Sequence, residues 1–372
     1  MMKNIKYIVN ITVFCLVIAI LASAFLIMPD KGISVSERRK LMSFSDVVSG
    51  GDVFNDIEEY FLDQFPLRDS FRTLKAIVYN DIFMKNDNNK IYKQDGTVVK
   101  IEDTLDESQV KYASEHINKV IEKYAKNNNV YFSIVPDKHY YASKENGYPA
   151  LDYDKMLQIV KDTVSGAEYI DIFPYLSLSD YYTTDSHWSQ EKITDVAETL
   201  VSAMSPEISI TPENGWKENT LTPFYGVYYG QSALSLPPDD IKYLTSDATD
   251  SMKMTVVKDN GTKETLPVYV LDYFKNIDPY DVFAGGAQPI VIIENPLAKS
   301  DKNLVVFRDS FGSSIAPLLA QGYAKVTLVD LRYMVPDFVG SFVSYENSDV
   351  LFLYSTGLLN SGRILKDFLK TK

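Results

Sequence analysis

The chain has 372 residues, of which 45% are hydrophobic and 23% charged, which suffices for one large domain or two smaller ones and is too apolar for intrinsic disorder. Its 37 Lys and Arg residues are outnumbered by 50 Asp and Glu, giving a formal net charge of -13. Nucleic-acid binding needs a basic surface, so this balance argues against a nucleic-acid partner and disfavours a strongly anionic polymer.

An apolar run from Ile8 to Met28 opens the chain, and its roughly 20 residues suffice to span a bilayer as a helix. The only cysteine, Cys15, lies within it, which excludes an internal disulfide and a cysteine zinc site. A signal peptide cleaved after Ala22-Ser23-Ala24 is the alternative. Because the apolar run continues beyond that point, we favour an uncleaved anchor over residues 1–29. Basic residues flank the run on both sides, but an extracytoplasmic body is the simpler topology.

Residues 30–90 are predicted to form a membrane-proximal helical segment. Apolar residues recur there at spacings of three, four and six, namely Phe61, Phe65, Phe71, Leu74 and Val78. This spacing predicts two short helices separated at Pro66.

Helical and strand-like patterns alternate over residues 91–372. Helices are predicted at about 107–126, 153–165, 187–204, 312–321 and 361–370, and strands at 130–136, 167–173, 303–307, 326–331 and 350–354. This order predicts an α/β domain with a largely parallel sheet flanked by helices. Residues 205–300 interrupt it with Pro, Gly and short strand-like runs, which predicts a β-rich insertion or lid.

Only three histidines are available as a base. His116 belongs to an amphipathic helix and His139 follows a predicted strand, whereas His187 stands two residues after Asp185 in TTDSHW. In an extended segment these two side chains share one face at most about 7 Å apart, so Asp185 can bond the ring and fix its tautomer. Structural pairs and metal ligands share this pattern, but neither other histidine stands at a usable spacing for zinc.

Ser310 lies in NLVVFRDSFGSSIAPLLAQG, which predicts a strand, a sharp turn and a helix. A serine at such a turn presents its hydroxyl at the strand's C-terminal edge, where N–H groups of the helix start face a developing oxyanion. Gly312 permits a tight turn and close approach of an acyl group. The alternative is that Ser310 caps the helix by accepting from the Ser313 N–H. The pairing with Asp185 and His187 favours a nucleophile.

These motifs together resemble a known family. TTDSHWSQ, followed by LVVFRDSFGSSIAPLL and KVTLVDLRY, is similar to the bacterial DHHW family, part of the alginate O-acetyltransferase-like group of SGNH hydrolase relatives. YFLDQFPLRDSF and YFSIVPDKHYY also match that group. Ser186 stands where the family name has His, which leaves Asp185, His187 and Trp188 in place.

The resemblance implies an SGNH-like fold in circularly permuted order, with the Asp-x-His pair before the serine. It implies an extracytoplasmic O-acetyltransferase that moves acetyl through Ser310, with His187 as base and Asp185 orienting it, to a cell-envelope or secreted polysaccharide. It also implies a membrane-bound O-acyltransferase partner as acyl supplier, and no cofactor or metal is expected. A carbohydrate acetyl esterase and a non-catalytic polysaccharide-binding or scaffold protein of the envelope remain alternatives.

Four further side chains are candidates for substrate contact. Trp188 is either a sugar platform or a core aromatic. Arg308 and Arg332, near the predicted turn and at the end of a strand, either orient substrate or form ion pairs. Lys138, in the Pro-Asp-Lys turn, leaves the same two possibilities open. The expected location is the cell membrane with an extracytoplasmic catalytic domain, or secretion if the anchor is cleaved.

Overall fold

The computed structural model describes residues 2–83, 87–258 and 261–369. These residues fall into two units, the first made of Met1–Asn89 with Val227–Leu236 and the second of Lys90–Gly226 with Pro237–Lys372. The predicted division into residues 1–29, 30–90 and 91–372 stays a prediction.

The first unit is mainly helical. Its helices are Met2–Ile27, Phe44–Ser49, Val53–Asp63, Arg68–Ile77 with a π-helical turn at Val78–Ile82, and Val227–Ser232, and its short strands are Ile33–Ser34, Arg39–Lys40 and Asp87–Asn88. The helices on either side of Pro66 confirm the predicted break, because proline has no N–H for a continuous helix. Ile5–Ile27 is long and apolar enough to cross a membrane, a property that anchors and signal sequences share.

An eight-stranded sheet organises the second unit. Its strands, in chain order, are β1 (Asn129–Val135), β2 (Glu168–Tyr169), β3 (Lys253–Val257), β4 (Lys263–Leu266), β5 (Ile290–Glu294), β6 (Asn303–Arg308), β7 (Lys325–Val329) and β8 (Ser348–Ser355). The spatial order is β4-β3-β5-β7-β6-β8-β1-β2. The five strands from β7 to β2 are parallel, whereas β5, β3 and β4 continue the sheet in antiparallel pairing.

Helices cover both faces of this sheet. The helices of the second unit are Glu107–Val120 with a π-helical continuation at Ile121–Ala125, Lys138–Asn146, Tyr153–Thr163, Thr194–Met204, Asp247–Ser251, Phe311–Ala320 and Thr356–Leu359. Strand residues alternate between two cores: in β6, Leu304 and Val306 face one and Val305 and Phe307 the other. The predicted α/β class with a largely parallel sheet flanked by helices is confirmed.

Three predicted elements differ from the structure. The helix expected at 187–204 begins only at Thr194, because His187 and Trp188 belong to the chain reversal in which Trp188 pairs with Tyr181. The strand expected at 167–173 is regular only at Glu168–Tyr169, because the Phe173 N–H turns to the Asp171 carboxylate. The helix expected at 361–370 was wrong: among the residues described up to 369, only a 3-10 turn at Gly362–Ile364 forms. The Lys366 N–H donates to the Leu331 carbonyl rather than to its own segment. Position 370 lies outside the described residues.

The strands of the β-rich region at 205–300 belong to two different sheets. Lys217–Phe224 pairs with Asp239–Thr245 in a separate two-stranded ribbon, whereas β3, β4 and β5 join the main sheet. The insertion is therefore partly an extension of the sheet. Residues 259 and 260, between β3 and β4, lie outside the described ranges.

Candidate active site

Asp185 and His187 lie on a tight loop. Tyr181 pairs with Trp188 in an isolated antiparallel bridge, and the Tyr182 N–H donates to the His187 carbonyl at 3.1 Å. The chain thus reverses direction within a few residues. Asp185 is fully buried at the turn of this loop, and His187 is 8% exposed.

A continuous hydrogen-bonded chain links the three predicted side chains. His187 Nδ1 lies 2.6 Å from Asp185 Oδ1, and His187 Nε2 lies 2.7 Å from Ser310 Oγ. The His187 backbone N–H also donates to Asp185 Oδ1, at 3.1 Å. A carboxylate at Nδ1 keeps the proton on that nitrogen, which leaves Nε2 free to accept the proton of the Ser310 hydroxyl.

Ser310 occupies the turn between β6 and the Phe311–Ala320 helix. It stands at the N-cap position, but its side chain makes no capping hydrogen bond. Asp309 performs that task, because its Oδ1 accepts the Phe311 N–H at 3.0 Å and its Oδ2 accepts the Ser355 N–H at 2.8 Å. The Ser310 hydroxyl is therefore available to His187, and it lies at the C-terminal edge of the parallel strands, where α/β folds place their sites.

Two aromatic rings hold the imidazole of His187. Tyr280 stacks on it with ring centroids 4.0 Å apart and an interplanar angle of 12°, and Phe311 lies tilted at 5.0 Å. Burial raises the pKa of Tyr280, so its hydroxyl stays protonated and donates to Ser314 Oγ at 2.7 Å. The imidazole of His187 therefore has little freedom to turn away from Ser310.

Trp188 is part of the core. It is fully buried, and its indole N–H donates to Ser314 Oγ at 2.8 Å. Ser314 thereby connects the residue after His187 with the ring stacked on His187. A sugar platform requires an exposed aromatic face, and this side chain offers none, so the core interpretation fits its placement.

Lys138 is buried beneath the same loop. Its amine donates to three carbonyls of the loop, those of Tyr182, Thr183 and Asp185, at 2.8, 3.1 and 3.3 Å. Burial lowers the pKa of Lys138 to about 7, while the carboxylates of Asp239 and Asp185 oppose that effect. Lys138 is 2% exposed, and a substrate contact of its amine stays a prediction.

The two candidate arginines share Asp330. Arg332 binds it through two nitrogens, at 2.9 and 2.6 Å, and keeps 21% of its side chain exposed. Arg308 is fully buried, 3.6 Å from Asp330, and donates to the Gly286 carbonyl at 2.9 Å. Both therefore form ion pairs. Substrate contacts of Arg332 and Arg308 stay predictions.

The other histidines have structural partners. His116 Nε2 lies 2.9 Å from the Lys366 carbonyl oxygen, and burial lowers the pKa of this ring. His139 lies between the Tyr92 hydroxyl and the Pro149 carbonyl, at 3.0 and 2.8 Å. Within the described ranges, no group of three or more His, Cys, Asp or Glu residues is placed to hold a metal ion.

Three contributors to the site were not found in the sequence. Tyr280 lies in a 3-10 turn of the irregular region, Asp239 begins a ribbon strand, and Ser314 is one of several serines near Ser310. None has a local motif, since each acts through a partner distant in the chain. The one available signal was the accumulation of serines directly after the predicted turn.

The chain is similar to a known family and to solved structures. The family model described as DHHW protein matches residues 171–329, which include Asp185, His187 and Ser310. A DHHW family protein from Eubacterium siraeum is 20% identical, with a TM-score of 0.57 over 76% of this chain and 97% of its own. PatB1 of Bacillus cereus, solved with a sulfonyl adduct, is 19% identical, with a TM-score of 0.56 over 72% and 95%.

No curated protein sequence matches the chain. At these identities, the two solved structures show a shared fold. The family model over residues 171–329 confirms the resemblance to the DHHW family.

Proposed function

We propose that this protein is an extracytoplasmic O-acetyltransferase that carries acetyl on Ser310 and transfers it to a hydroxyl of a cell-envelope or secreted polysaccharide. The observation that carries the proposal is the pair of hydrogen bonds, 2.6 and 2.7 Å long, that joins Asp185 to His187 and His187 to Ser310. A base that is oriented by a carboxylate and bonded to a hydroxyl is the arrangement that activates a serine.

The first half-reaction forms the acyl-enzyme. Ser310 Oγ attacks the carbonyl carbon of the donor ester while His187 Nε2 takes the hydroxyl proton. The Ser310 N–H, at the start of a helix, is our candidate donor to the resulting oxyanion. As the intermediate collapses, the bond to the leaving oxygen breaks and His187 returns the proton to that oxygen.

The second half-reaction reverses these roles. An acceptor sugar hydroxyl gives its proton to His187 and attacks the acyl carbon. The bond to Ser310 Oγ then breaks, and Ser310 regains its proton from His187. Water in place of the sugar makes the same residues an esterase, so the acceptor site decides the reaction.

A chromogenic acetyl ester tests the chemistry. The Ser310→Ala variant should lose turnover by about three orders of magnitude or more, as removal of a triad serine does elsewhere. Ser313→Ala is the matched control. Its hydroxyl is buried without a hydrogen-bond partner among the described residues, so its removal should leave turnover unchanged. Undiminished turnover in Ser310→Ala would exclude Ser310 as the nucleophile.

Product analysis with an oligosaccharide acceptor separates transfer from hydrolysis. Acetylated sugar supports the proposal, whereas acetate as the sole product, with or without acceptor, identifies an esterase. We also propose that a membrane-bound O-acyltransferase supplies the acetyl group. Co-purification of this protein with a multispan acyltransferase from native membranes tests that partner.

A further inference from the structure

We propose that Lys138 and Asp239 are positioning residues that hold the loop bearing Asp185 and His187 from two sides. The buried amine of Lys138 donates hydrogen bonds to carbonyls of the loop, and the carboxylate of Asp239 accepts hydrogen bonds from its N–H groups. The inference rests on the proposed function of His187 and deepens it, because it names the groups that keep the base in line with Ser310.

Few backbone N–H and carbonyl groups of the loop between Asp180 and Ser189 form hydrogen bonds with each other. One internal bond runs from the Tyr182 N–H to the His187 carbonyl, and a second, from Ser189 to Asp180, closes its base. Between them, both backbone groups of Thr183 and the N–H of Thr184 bind partners outside the loop. A buried backbone group without a partner is unfavourable, so these external partners determine where the loop lies.

On the carbonyl side, Lys138 gathers five oxygen atoms. Besides the three loop carbonyls, its amine donates to the Thr97 hydroxyl at 3.0 Å and to the Val98 carbonyl. Thr97 and Val98 belong to a hairpin whose antiparallel strands are Ile91–Gln94 and Thr97–Lys100. The Val98 N–H also donates to the Thr183 carbonyl, at 3.1 Å. One amine thus joins the loop to that hairpin. It has hydrogen-bond donors in either protonation state.

On the N–H side, Asp239 accepts three hydrogen bonds. Its Oδ1 accepts the Thr183 N–H at 2.7 Å, and its Oδ2 accepts the Thr184 N–H at 2.7 Å and the Thr184 hydroxyl at 2.5 Å. The Thr184 hydroxyl in turn accepts the Gly226 N–H at 2.8 Å. Thr183 and Thr184, the two threonines of TTDSH, therefore connect the loop to Asp239 and Gly226.

The two charges are complementary to the peptide groups between them. The carboxylate of Asp239 at N–H groups, and the amine of Lys138 at carbonyl oxygens when it is protonated, form charge-assisted hydrogen bonds, which are stronger than neutral ones. Lys138 is rigidly placed, since it begins the helix Lys138–Asn146, which Asp137 caps directly after β1. Any shift of the Asp185 carbonyl moves its carboxylate, and with it the ring of His187.

Lys138→Met tests the carbonyl side, because methionine keeps an unbranched stem and removes the donors. We expect kcat for the chromogenic ester to fall about tenfold to a hundredfold, the order that a misplacement of about 1 Å produces. Lys144→Met, an exposed lysine of the same helix, is the control and should leave kcat unchanged. A folded Lys138→Met protein with full kcat would overturn the proposal.

Asp239→Asn tests the other side more mildly and decides the question if Lys138→Met does not fold. The amide keeps one oxygen acceptor and loses the charge, so kcat should fall by about threefold to thirtyfold, in proportion to a charged hydrogen bond. The neighbouring exposed Asp240→Asn is its control. Unchanged kcat in Asp239→Asn would overturn the proposal.

A double-variant comparison separates positioning from general stability. If Lys138 acts through His187, Lys138→Met should not lower the residual rate of a His187→Ala protein any further. An equal fold-loss on both backgrounds would mean that Lys138 acts independently of the base, and would overturn the inference.

The rate at which phenylmethylsulfonyl fluoride labels Ser310, followed by mass spectrometry, reports nucleophilicity without acetyl transfer. Slower labelling in Lys138→Met supports the positioning role even if the transferase proposal fails, and labelling at the parent rate overturns that role. Ester turnover that persists in Ser310→Ala counts against the proposed function alone.

Discussion

His187 is held by two kinds of contact that act in different directions. The hydrogen bonds to Asp185 and Ser310 fix the line between the two ring nitrogens. The stacked ring of Tyr280 fixes the plane of the imidazole. The proposed mechanism needs both, because a proton can move from Ser310 only if the lone pair of Nε2 points at the hydroxyl.

Tyr280→Leu should therefore lower kcat. Loss of the ring removes the packing and the interaction of an aromatic face with the imidazolium formed during proton transfer, worth about 1–2 kcal/mol, or about fivefold to thirtyfold in rate. Tyr280→Phe keeps the ring and loses only the hydrogen bond to Ser314, so its kcat should fall less than that of the Leu variant. Equal kcat in the Leu and Phe variants would contradict the stacking role.

Gly312 is a position at which a methyl group cannot be accommodated. A Cβ there would lie 2.5 Å from Cβ and 2.9 Å from Cγ of Arg308, atoms near the backbone that have little room to move. Gly312→Ala should destabilise the second unit by about 1–3 kcal/mol through overpacking and displace Ser310. Chemical denaturation and ester turnover measure the two effects.

Gly357→Ala is the matched control for Gly312→Ala. Gly357 is likewise the second residue of a helix that follows a parallel strand, but the nearest atom to its added Cβ is Ser355 Oγ at 3.8 Å. It should be neutral or slightly stabilising. Equal destabilisation by the two substitutions would show that contact with Arg308 is not responsible.

The sequence predicted the residues with local signals and missed those whose role depends on the fold. Asp185 and His187 are two positions apart, and Ser310 lies in a strand-turn-helix pattern, so elementary geometry brings out all three. For Lys138 the sequence leaves a substrate contact and an ion pair both open, because a lysine after a strand gives no sign of whether its amine is buried. Only the structure supplies the oxygens that surround it.

At the scale of elements, alternation predicted the parallel half of the sheet well. Each of these strands other than β2 is buried on both faces, which produces the continuous apolar runs that the sequence displays. The antiparallel half was not assigned to the sheet, because β3 and β4 are short and lie in a segment rich in turn residues. Pairing partners of such strands are set by tertiary contacts rather than by propensity.

In the first unit, Asp63 joins separate elements. It is 2% exposed and accepts from the Arg39 guanidinium, at 2.8 and 2.5 Å, and from the Met42 N–H at 2.9 Å. Burial acts to raise the pKa of Asp63, but these hydrogen bonds outweigh it and hold its pKa below the usual value. Arg39 shows the reciprocal effect, with a raised pKa that is due first to Asp63.

A carboxylate with a depressed folded-state pKa stabilises at neutral pH, and this stabilisation is lost as the pH falls through the folded value. Asp63→Asn should therefore speed amide exchange in residues 33–42 at pH 7. Below about pH 4, the ordinary pKa of an aspartate, the difference in amide exchange rate between the variant and the parent should shrink. Hydrogen–deuterium exchange at matched pH measures it.

Glu58→Gln, an exposed carboxylate on the same helix, is the control for Asp63→Asn and should leave exchange unchanged at every pH. A difference between parent and Asp63→Asn that persists undiminished at pH 2 would mean that the side chain acts through packing and not through its charge.

For the whole molecule, the decisive segment is the helix Met2–Ile27. The stretch Ile5–Ile27 can cross a membrane by length and composition, and this holds equally for an anchor and a signal sequence. One contact bears on the choice. Phe25 stacks on Phe61 with centroids 5.0 Å apart and meets the ring of Tyr60 edge-on at 5.6 Å. The end of the apolar helix thus packs against the helix Val53–Asp63 of the same unit.

We predict that the chain keeps this helix and is an integral membrane protein. After expression in a bacterial host, it should stay in the membrane fraction through carbonate washing, and a chain lacking residues 1–29 and targeted by an unrelated cleavable signal should be released into the soluble extracytoplasmic fraction. The reason is that about 20 apolar residues bind a bilayer far more firmly than any surface contact. An N-terminus that begins at Phe25 in the purified protein would instead identify a cleaved signal after Ala22-Ser23-Ala24, and the protein would then act as a secreted enzyme.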